Sequence, residues 1–391
     1  MIDAFFRLIL LFAVVFLTAC SPKPTVHHEQ LLVFGTVVDI KLWGVEAPEA
    51  QRLITQLAED FEYMHRSWHA WHAGPLGRVN ALLLEGKTFT AVPSIMPLVE
   101  RSSELSLLSG GLFNPAIGKL IALWGFASDK PPKGPPPSDV AIRAILEQRP
   151  SMSDVYLEGL QMRGKNPALK LDFGAFAKGY AVDRAIEFLQ EAGIKNAVVN
   201  AGGDLRAIGR HGERPWRIGI RHPRQAGILA SVEVEGDESV FTSGDYERYF
   251  DWEGKRYDHI IDPRTGYPAK GLSSVTVFAQ QADLADAAAT ALFVAGPKEE
   301  DWLPVARAMG ITGVMLVDEE GGIQITPSIQ ERLYFEPGPE SGSEATAPSG
   351  IRVSQPLMIK PVNVNPVNVK PPNVNPPMST PVGKSADSQT L

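Results

Sequence analysis

Ala197-Val198-Val199-Asn200-Ala201-Gly202-Gly203-Asp204 is a short β-branched run that enters a glycine turn. It opens a stretch, 197–279, in which further strand-like runs follow at 216–221, 230–234, 240–242, 256–261 and 274–279. Helical periods flank it, at 177–192 (closed by Gly193) and at 283–295. Strands in runs, with helices between the runs, predict an α+β fold rather than the strict alternation of a doubly wound sheet. Working outward, Val37, Val38 and Ile40 mark a strand at 33–42. Leu53, Ile54, Leu57, Phe61 and Met64 recur at helical spacing over 47–66. A helix at 97–108 ends at Gly110-Gly111, and another at 139–148 puts Ile142, Ile145 and Leu146 on one face. A Pro/Gly-rich loop occupies 128–138. A helix at 302–309 and strands near 314–317 and 323–325 close a body of 30–335, in which no long repeat appears.

The two ends differ in composition from that body. The 391 residues carry a net charge of −8, with 37 Lys and Arg against 45 Asp and Glu. That balance argues against a sequence-independent nucleic-acid binder, so no nucleic-acid partner is expected. One cysteine, Cys20, excludes an intramolecular disulfide, a CxxC redox pair and a cysteine-based zinc site. The apolar run 5–19 is shorter than the roughly 20 residues of a spanning helix and reads as an export signal. It ends in Leu17-Thr18-Ala19-Cys20, which resembles a bacterial lipobox. The expectation is a signal peptide at 1–19, lipidation of Cys20 and a tether at 20–29, although Asp3 offsets Arg7 in the leader. At the other end, 337–391 holds eleven prolines and no aromatic residue, with a near-repeat of Pro, Asn and Val at 360–377. Such a segment cannot bury enough apolar surface to offset chain entropy, so 336–391 is expected to be a disordered or extended tail.

Four motifs could carry chemistry. Asp286 and Thr290 stand one helical turn apart with Ala287, Ala288 and Ala289 between them. They offer two hard oxygen ligands suited to Mg²⁺, although the spacing alone also describes an ordinary surface pair. Asp172-Phe173-Gly174-Ala175-Phe176-Ala177-Lys178 precedes a helix whose free N–H groups and lysine favour phosphate, while Asp172 could be a plain cap. His259 lies at a strand end before the turn Asp262-Pro263-Arg264-Thr265-Gly266, either as a general base or as a structural histidine. His65, His69 and His72 could share a helix face, but the neighbouring Trp68, Trp71, Gly74 and Pro75 suit an aromatic pocket rim at a helix end better than a metal site. No GxGxxG, GxSxG, HExxH or P-loop occurs.

In this order the motifs resemble the ApbE family, the FAD:protein FMN transferases. The matching elements are Phe34-Gly35-Thr36, Gly111 to Gly118, Asp172 to Asp183, Asn200 to Asp204, Thr242 to Tyr246, His259 to Pro268 and Asp286 to Thr290. The resemblance implies a T-fold-like α+β architecture of mostly antiparallel sheets flanked by helices. It implies Mg²⁺-dependent transfer of FMN from FAD to a Thr or Ser hydroxyl of a target flavoprotein, with AMP released. It implies that Asp286, Thr290 and the Ala175 carbonyl hold Mg²⁺, and that Asp172 and Lys178 contact FAD. Phe34, Phe113, Asn114 and Ile260 match cofactor-pocket positions, Trp68 or Trp71 would stack on a ring of FAD, and His259 would be the base. Partners would be flavin-accepting subunits of membrane electron-transport complexes. The enzyme would be a lipoprotein facing the periplasm, with the inner membrane favoured over the outer. The same site would also serve an FAD pyrophosphatase giving FMN and AMP, and a non-catalytic flavin-binding lipoprotein is the third reading.

Overall fold

The computed structural model describes residues 26–128, 130–336 and 351–357. The expected export signal, Cys20, the start of the expected tether and most of the expected tail lie outside the described residues. Among the described residues no helix is long and apolar enough to cross a membrane.

The chain enters on a hairpin of β1 (Val26–Val33) and β2 (Thr36–Trp43). The expected strand at 33–42 is its second arm, and part of the expected tether is its first. The sequence pattern hid β1 because His27, His28, Glu29 and Gln30 break any apolar alternation at a sheet edge. Next come α1 (Ala47–Trp68), α2 (Pro75–Leu84), β3 (Phe89–Thr90), α3 (Met96–Leu108), α4 (Gly118–Leu123) and α5 (Asp139–Leu146). Gly74-Pro75 reads in sequence as a helix end, yet it starts α2, because proline at the first helical position loses only an N–H that is unpaired there anyway. Strands β4 (Val155–Glu158) and β5 (Gln161–Gly164) join β3 in a small sheet. Then α6 (Ala177–Glu191) leads into β6 (Ala197–Ala201), β7 (Asp204–Gly209), β8 (Trp216–Arg221), β9 (Ile228–Val234), β10 (Gly236–Gly244), β11 (Tyr249–Trp252), β12 (Lys255–Asp258) and β13 (Leu272–Ala279). The expected strand at 256–261 stops at Asp258, where Asp258 accepts the Ile260 N–H (2.8 Å) and turns the chain. Helices α7 (Ala282–Ala295) and α8 (Glu299–Ala308), strands β14 (Gly313–Asp318) and β15 (Ile323–Ile325), α9 (Pro327–Gln330), β16 (Leu333–Phe335) and β17 (Ile351–Val353) complete the fold.

The α+β expectation and the antiparallel sheets hold. Nine strands form one sheet in the order β1-β2-β6-β7-β10-β13-β14-β15-β17, antiparallel except for the last pair. Side chains alternate across it. Val199, Phe241, Val277 and Leu316 face the helices, whereas Val198, Val240, Phe278 and Met315 face the three-stranded sheet β16-β9-β8. Burial on both faces is why these strands are nearly continuous in apolar residues. A third cluster, with Trp124, Phe126, Ile142, Phe250 and Ile261, lies under the β11–β12 hairpin. One strand falls inside the stretch expected to be tail. Ile351-Arg352-Val353 pairs in parallel with β15 and buries Ser354 beyond it. An alternating triplet added to an existing sheet edge needs no core of its own, so the depletion of apolar residues did not forbid it.

Candidate functional site

Two helices pass each other at backbone distance and define the floor of the site. A Cβ on Gly179 of α6 would stand 2.3 Å from the Ala282 carbonyl oxygen of α7, so only glycine admits this approach. The Gly179 N–H donates to Asp286 Oδ2 (2.9 Å) across 107 residues of chain. That N–H belongs to the first turn of α6, where a helix leaves its donors without intrahelical partners. Ala175 lies just ahead of the helix, and among the described residues its carbonyl accepts no backbone N–H. Thr290 lies one turn along α7, its hydroxyl 3.2 Å from Ser243 Oγ at the end of β10. Carbonyl, carboxylate and hydroxyl form a set of hard oxygen donors that fits a small divalent cation. Among the described residues no group of three or more His, Cys, Asp or Glu side chains could hold a metal ion.

Above this floor sits Lys178, in the first turn of α6, ion-paired with Asp204. Burial alone would lower the lysine, but Asp204, Glu247 and Asp286 outweigh it, so it stays charged well above its ordinary range. Asp204 is buried and its second oxygen accepts the Thr242 N–H (2.9 Å), which fixes the carboxylate that fixes the lysine. Burial pushes Asp286 up to about 7; Lys178 opposes the shift and Asp204 adds to it. A divalent cation there would relieve the crowding of carboxylates.

His259 forms one wall. Its N–H continues the β11–β12 ladder to the Arg248 carbonyl (3.0 Å), and its Nδ1 lies 3.2 Å from the same oxygen. A carbonyl only accepts, so Nδ1 carries the proton and Nε2 keeps its lone pair. Burial, then the Arg248 charge, then Lys178 hold the ring well below its ordinary range, at about 4, although the Arg248 carbonyl opposes them. The histidine is thus neutral and close enough to Lys178 to feel its charge. Asp172 is half-buried, accepts the Gly174 N–H (2.9 Å), and is raised by burial while Lys170 and Arg248 oppose. It closes the turn before α6 rather than capping the helix itself.

The other wall is aromatic. Phe34 has φ 56° and Gly35 φ 71°, so the two-residue hairpin turn holds a phenylalanine in the left-handed region. Its ring stacks on Trp68 at 6.5 Å and meets His65 edge-on at 5.8 Å. Trp68 is nearly buried, donates to the Ser94 carbonyl (3.0 Å) and meets Tyr180 edge-on at 5.6 Å. The Arg248 guanidinium lies over Trp71 at 5.7 Å. His69 and His72 stack at 3.7 Å where α1 has ended, consistent with a rim and not with a shared helix face.

The other three expected pocket positions have the following surroundings. The Phe113 side chain is 1% exposed and packs 6.0 Å from Phe176, beneath the site. Ile260 is buried in the core, with its N–H given to Asp258 and its carbonyl taken by the Ala269 N–H. Asn114 is pinned at both ends of its amide, donating to the Pro150 carbonyl (2.9 Å) and accepting from Ala116 (3.1 Å). It lines a cavity of about 310 Å³ with Gly111, Pro150 and Pro263. Sequence reading had assigned no role to Asp183, Asp204, Thr242, Ser243, Glu247 or Arg248. The Gly-Gly-Asp turn ahead of β7 was the one local signal, and it pointed to a turn, not to a lysine partner.

The donor set, the charged lysine and the neutral histidine define an α+β protein with a site suited to a phosphate-bearing ligand. The model of the ApbE family matches residues 34–314, and the chain belongs to that family. It is 43% identical over 313 residues to the FAD:protein FMN transferase of Rhodobacter capsulatus, covering 80% of this chain but 59% of that relative's length. It is 31% identical over 347 residues to a protein of the same name from Klebsiella pneumoniae (strain 342), covering 85% of this chain and 97% of the relative. Among solved structures it superposes on the ApbE protein of Thermotoga maritima with a TM-score of 0.72 and 31% identity, over 80% of this chain and 100% of that one. The apo flavinyl transferase ApbE of Pseudomonas stutzeri gives 0.69 and 30%, over 82% and 99%.

Proposed function

We propose that this chain transfers FMN from FAD to a Thr or Ser hydroxyl of a target protein and releases AMP. The observation that carries this reading is the meeting, in one place, of charged Lys178, the oxygen donors Asp286 and Thr290 on α7, and a histidine whose Nε2 can take a proton. The acceptor hydroxyl attacks the FMN phosphorus. The new O–P bond forms, the bond to the AMP oxygen breaks, and His259 Nε2 receives the hydroxyl proton. Lys178, in the first turn of α6 and held by Asp204, would face the pyrophosphate charge. Ala175, Asp286 and Thr290 would hold Mg²⁺, which when bound neutralises the pyrophosphate as AMP leaves.

The natural partners would be flavin-accepting subunits of membrane electron-transport complexes. The lipobox-like Leu17-Thr18-Ala19-Cys20 supports a lipid anchor that would hold the enzyme near them on the periplasmic side, with the inner membrane favoured. Incubating the chain with FAD, Mg²⁺ and a flavin-accepting domain tests the central reading. The expected result is flavin fluorescence on the acceptor in a denaturing gel. FMN and AMP without a labelled acceptor would make the protein an FAD pyrophosphatase, and intact bound FAD would make it a carrier.

Phe34 gives a separable check on the flavin side. Left-handed backbone costs a non-glycine residue about 1 kcal/mol. Phe34→Gly removes that cost and the ring together. The melting temperature is expected to change little, the relieved strain offsetting the lost contacts with Phe61 and Trp68, while half-saturation by FAD weakens several-fold. A lower melting temperature with unchanged FAD binding would assign the ring to the hairpin alone.

A further inference from the structure

The helix that bears Asp286 and Thr290 is not capped by its own sequence. Gln281 at the N-cap of α7 makes no side-chain capping bond. Instead Asp183, reaching across from α6, accepts the Ala282 N–H with Oδ1 (2.8 Å) and the Asp283 N–H with Oδ2 (2.9 Å). Asp183 lies one turn beyond Gly179 on α6. The two residues therefore grip α7 at two points one turn apart: Asp183 at its first N–H groups, and Gly179 at Asp286. Asp183 is itself held. Arg206 donates to its Oδ1 (2.6 Å) and forks onto Asp237 with two bonds of 2.8 Å. Asp183 and Arg206 are 7% and 6% exposed, so water cannot replace either partner readily. Arg101 of α3 clamps Asp283 from the far side with bonds of 2.7 and 3.0 Å.

We propose that Asp183 is a positioning residue for the cation site: it sets the register of α7 along α6 and so places Asp286 and Thr290 opposite the Ala175 carbonyl. This rests on the reading of those three residues as the Mg²⁺ donors. Sliding α7 along α6 would carry Asp286 away from Gly179 and the first N–H groups of α7 away from Asp183. The polar grip therefore acts together with the close Gly179–Ala282 approach to hold the register. Groups that orient metal ligands typically change metal affinity by about 10- to 100-fold when removed.

Asp183→Asn keeps the volume but offers one acceptor oxygen where three N–H donors converge. Mg²⁺ affinity is measured by displacement of Mn²⁺ in electron paramagnetic resonance, below the melting temperature and without turnover. The expected result is a loss of about tenfold or more, with FAD affinity in the absence of metal unchanged. Should Asp183→Asn fail to fold, Arg206→Lys keeps the charge but loses the fork to Asp237, and it should shift affinity in the same direction. A variant that melts earlier but binds Mg²⁺ like the parent overturns the proposal, because the clamp would then be structural only. A parent chain that binds no divalent cation overturns the metal reading instead, and the positioning role with it.

Discussion

Asp286→Ala is expected to abolish Mg²⁺-dependent flavin transfer, lowering kcat/KM by about a hundred- to a thousandfold, the scale of losing one charge-stabilising element of a polar site. The alanine variant also strands the buried Gly179 N–H, at a cost of about 1–3 kcal/mol, so it should melt earlier. Asp286→Asn separates the two effects. It retains an oxygen for Gly179 and removes only the charge. Activity should fall as far, but stability should not. The sign of the pH dependence follows from the raised carboxyl. Asp286 moves from 3.8 to about 7 in the folded, metal-free chain, through burial first, with Lys178 opposing and Asp204 adding. The folded state then holds the proton more tightly than the unfolded state. Its contribution is complete below about 3.8 and is lost as pH rises toward 7. Metal-free parent protein should therefore lose melting temperature across that window more steeply than Asp286→Asn. Full transfer activity in either variant would remove Asp286 from the cation site.

His259→Ala is expected to lower the transfer rate by about two to four orders of magnitude while FAD still binds. The side chain's hydrogen bond goes to the main chain of Arg248 and its ring meets Phe126 edge-on at 6.3 Å, so no side-chain hydrogen bond is lost elsewhere when it is removed. Because the ring is held down to about 4, by burial first and then by the Arg248 and Lys178 charges, its lone pair is available across the neutral range. The acid limb of the rate profile should lie near that value in the parent and be missing from the residual activity of the variant. Equilibrium binding of FAD, followed by flavin fluorescence, distinguishes a lost base from a lost pocket. A normal transfer rate would exclude His259 as the proton acceptor.

The fold was legible where burial leaves a period. Helix α1 shows itself through Leu53, Ile54, Leu57 and Phe61, all of which face the core. The strands of the central sheet show themselves through continuous apolar runs, because both faces are covered. Elements without such a face were missed. Edge strand β1 is polar, α2 hides behind Gly74-Pro75, and β17 is three residues long. Of the site, the motifs could be quoted in order, and their order pointed to the family. Spacing alone could not choose between a cation pair and a surface pair at Asp286 and Thr290. Nor could it show that Phe113 and Ile260 turn into the core.

By itself, then, the sequence determined the fold class, the acidic and cysteine-poor chemistry, and the motifs around which the site is built. Each of these depends on composition or on contacts within a turn or two of chain. Only the tertiary structure decided what those residues do to one another. Lys178 meets Asp204 across 26 residues, Asp183 grips α7 across 99 and 100, and Gly179 gives Asp286 a first-turn N–H across 107. Such pairings leave no local period, because their partners are brought together by the packing of α6 and α7 against the sheet. The Gly179 N–H reaches Asp286 only because the two helices approach at glycine distance.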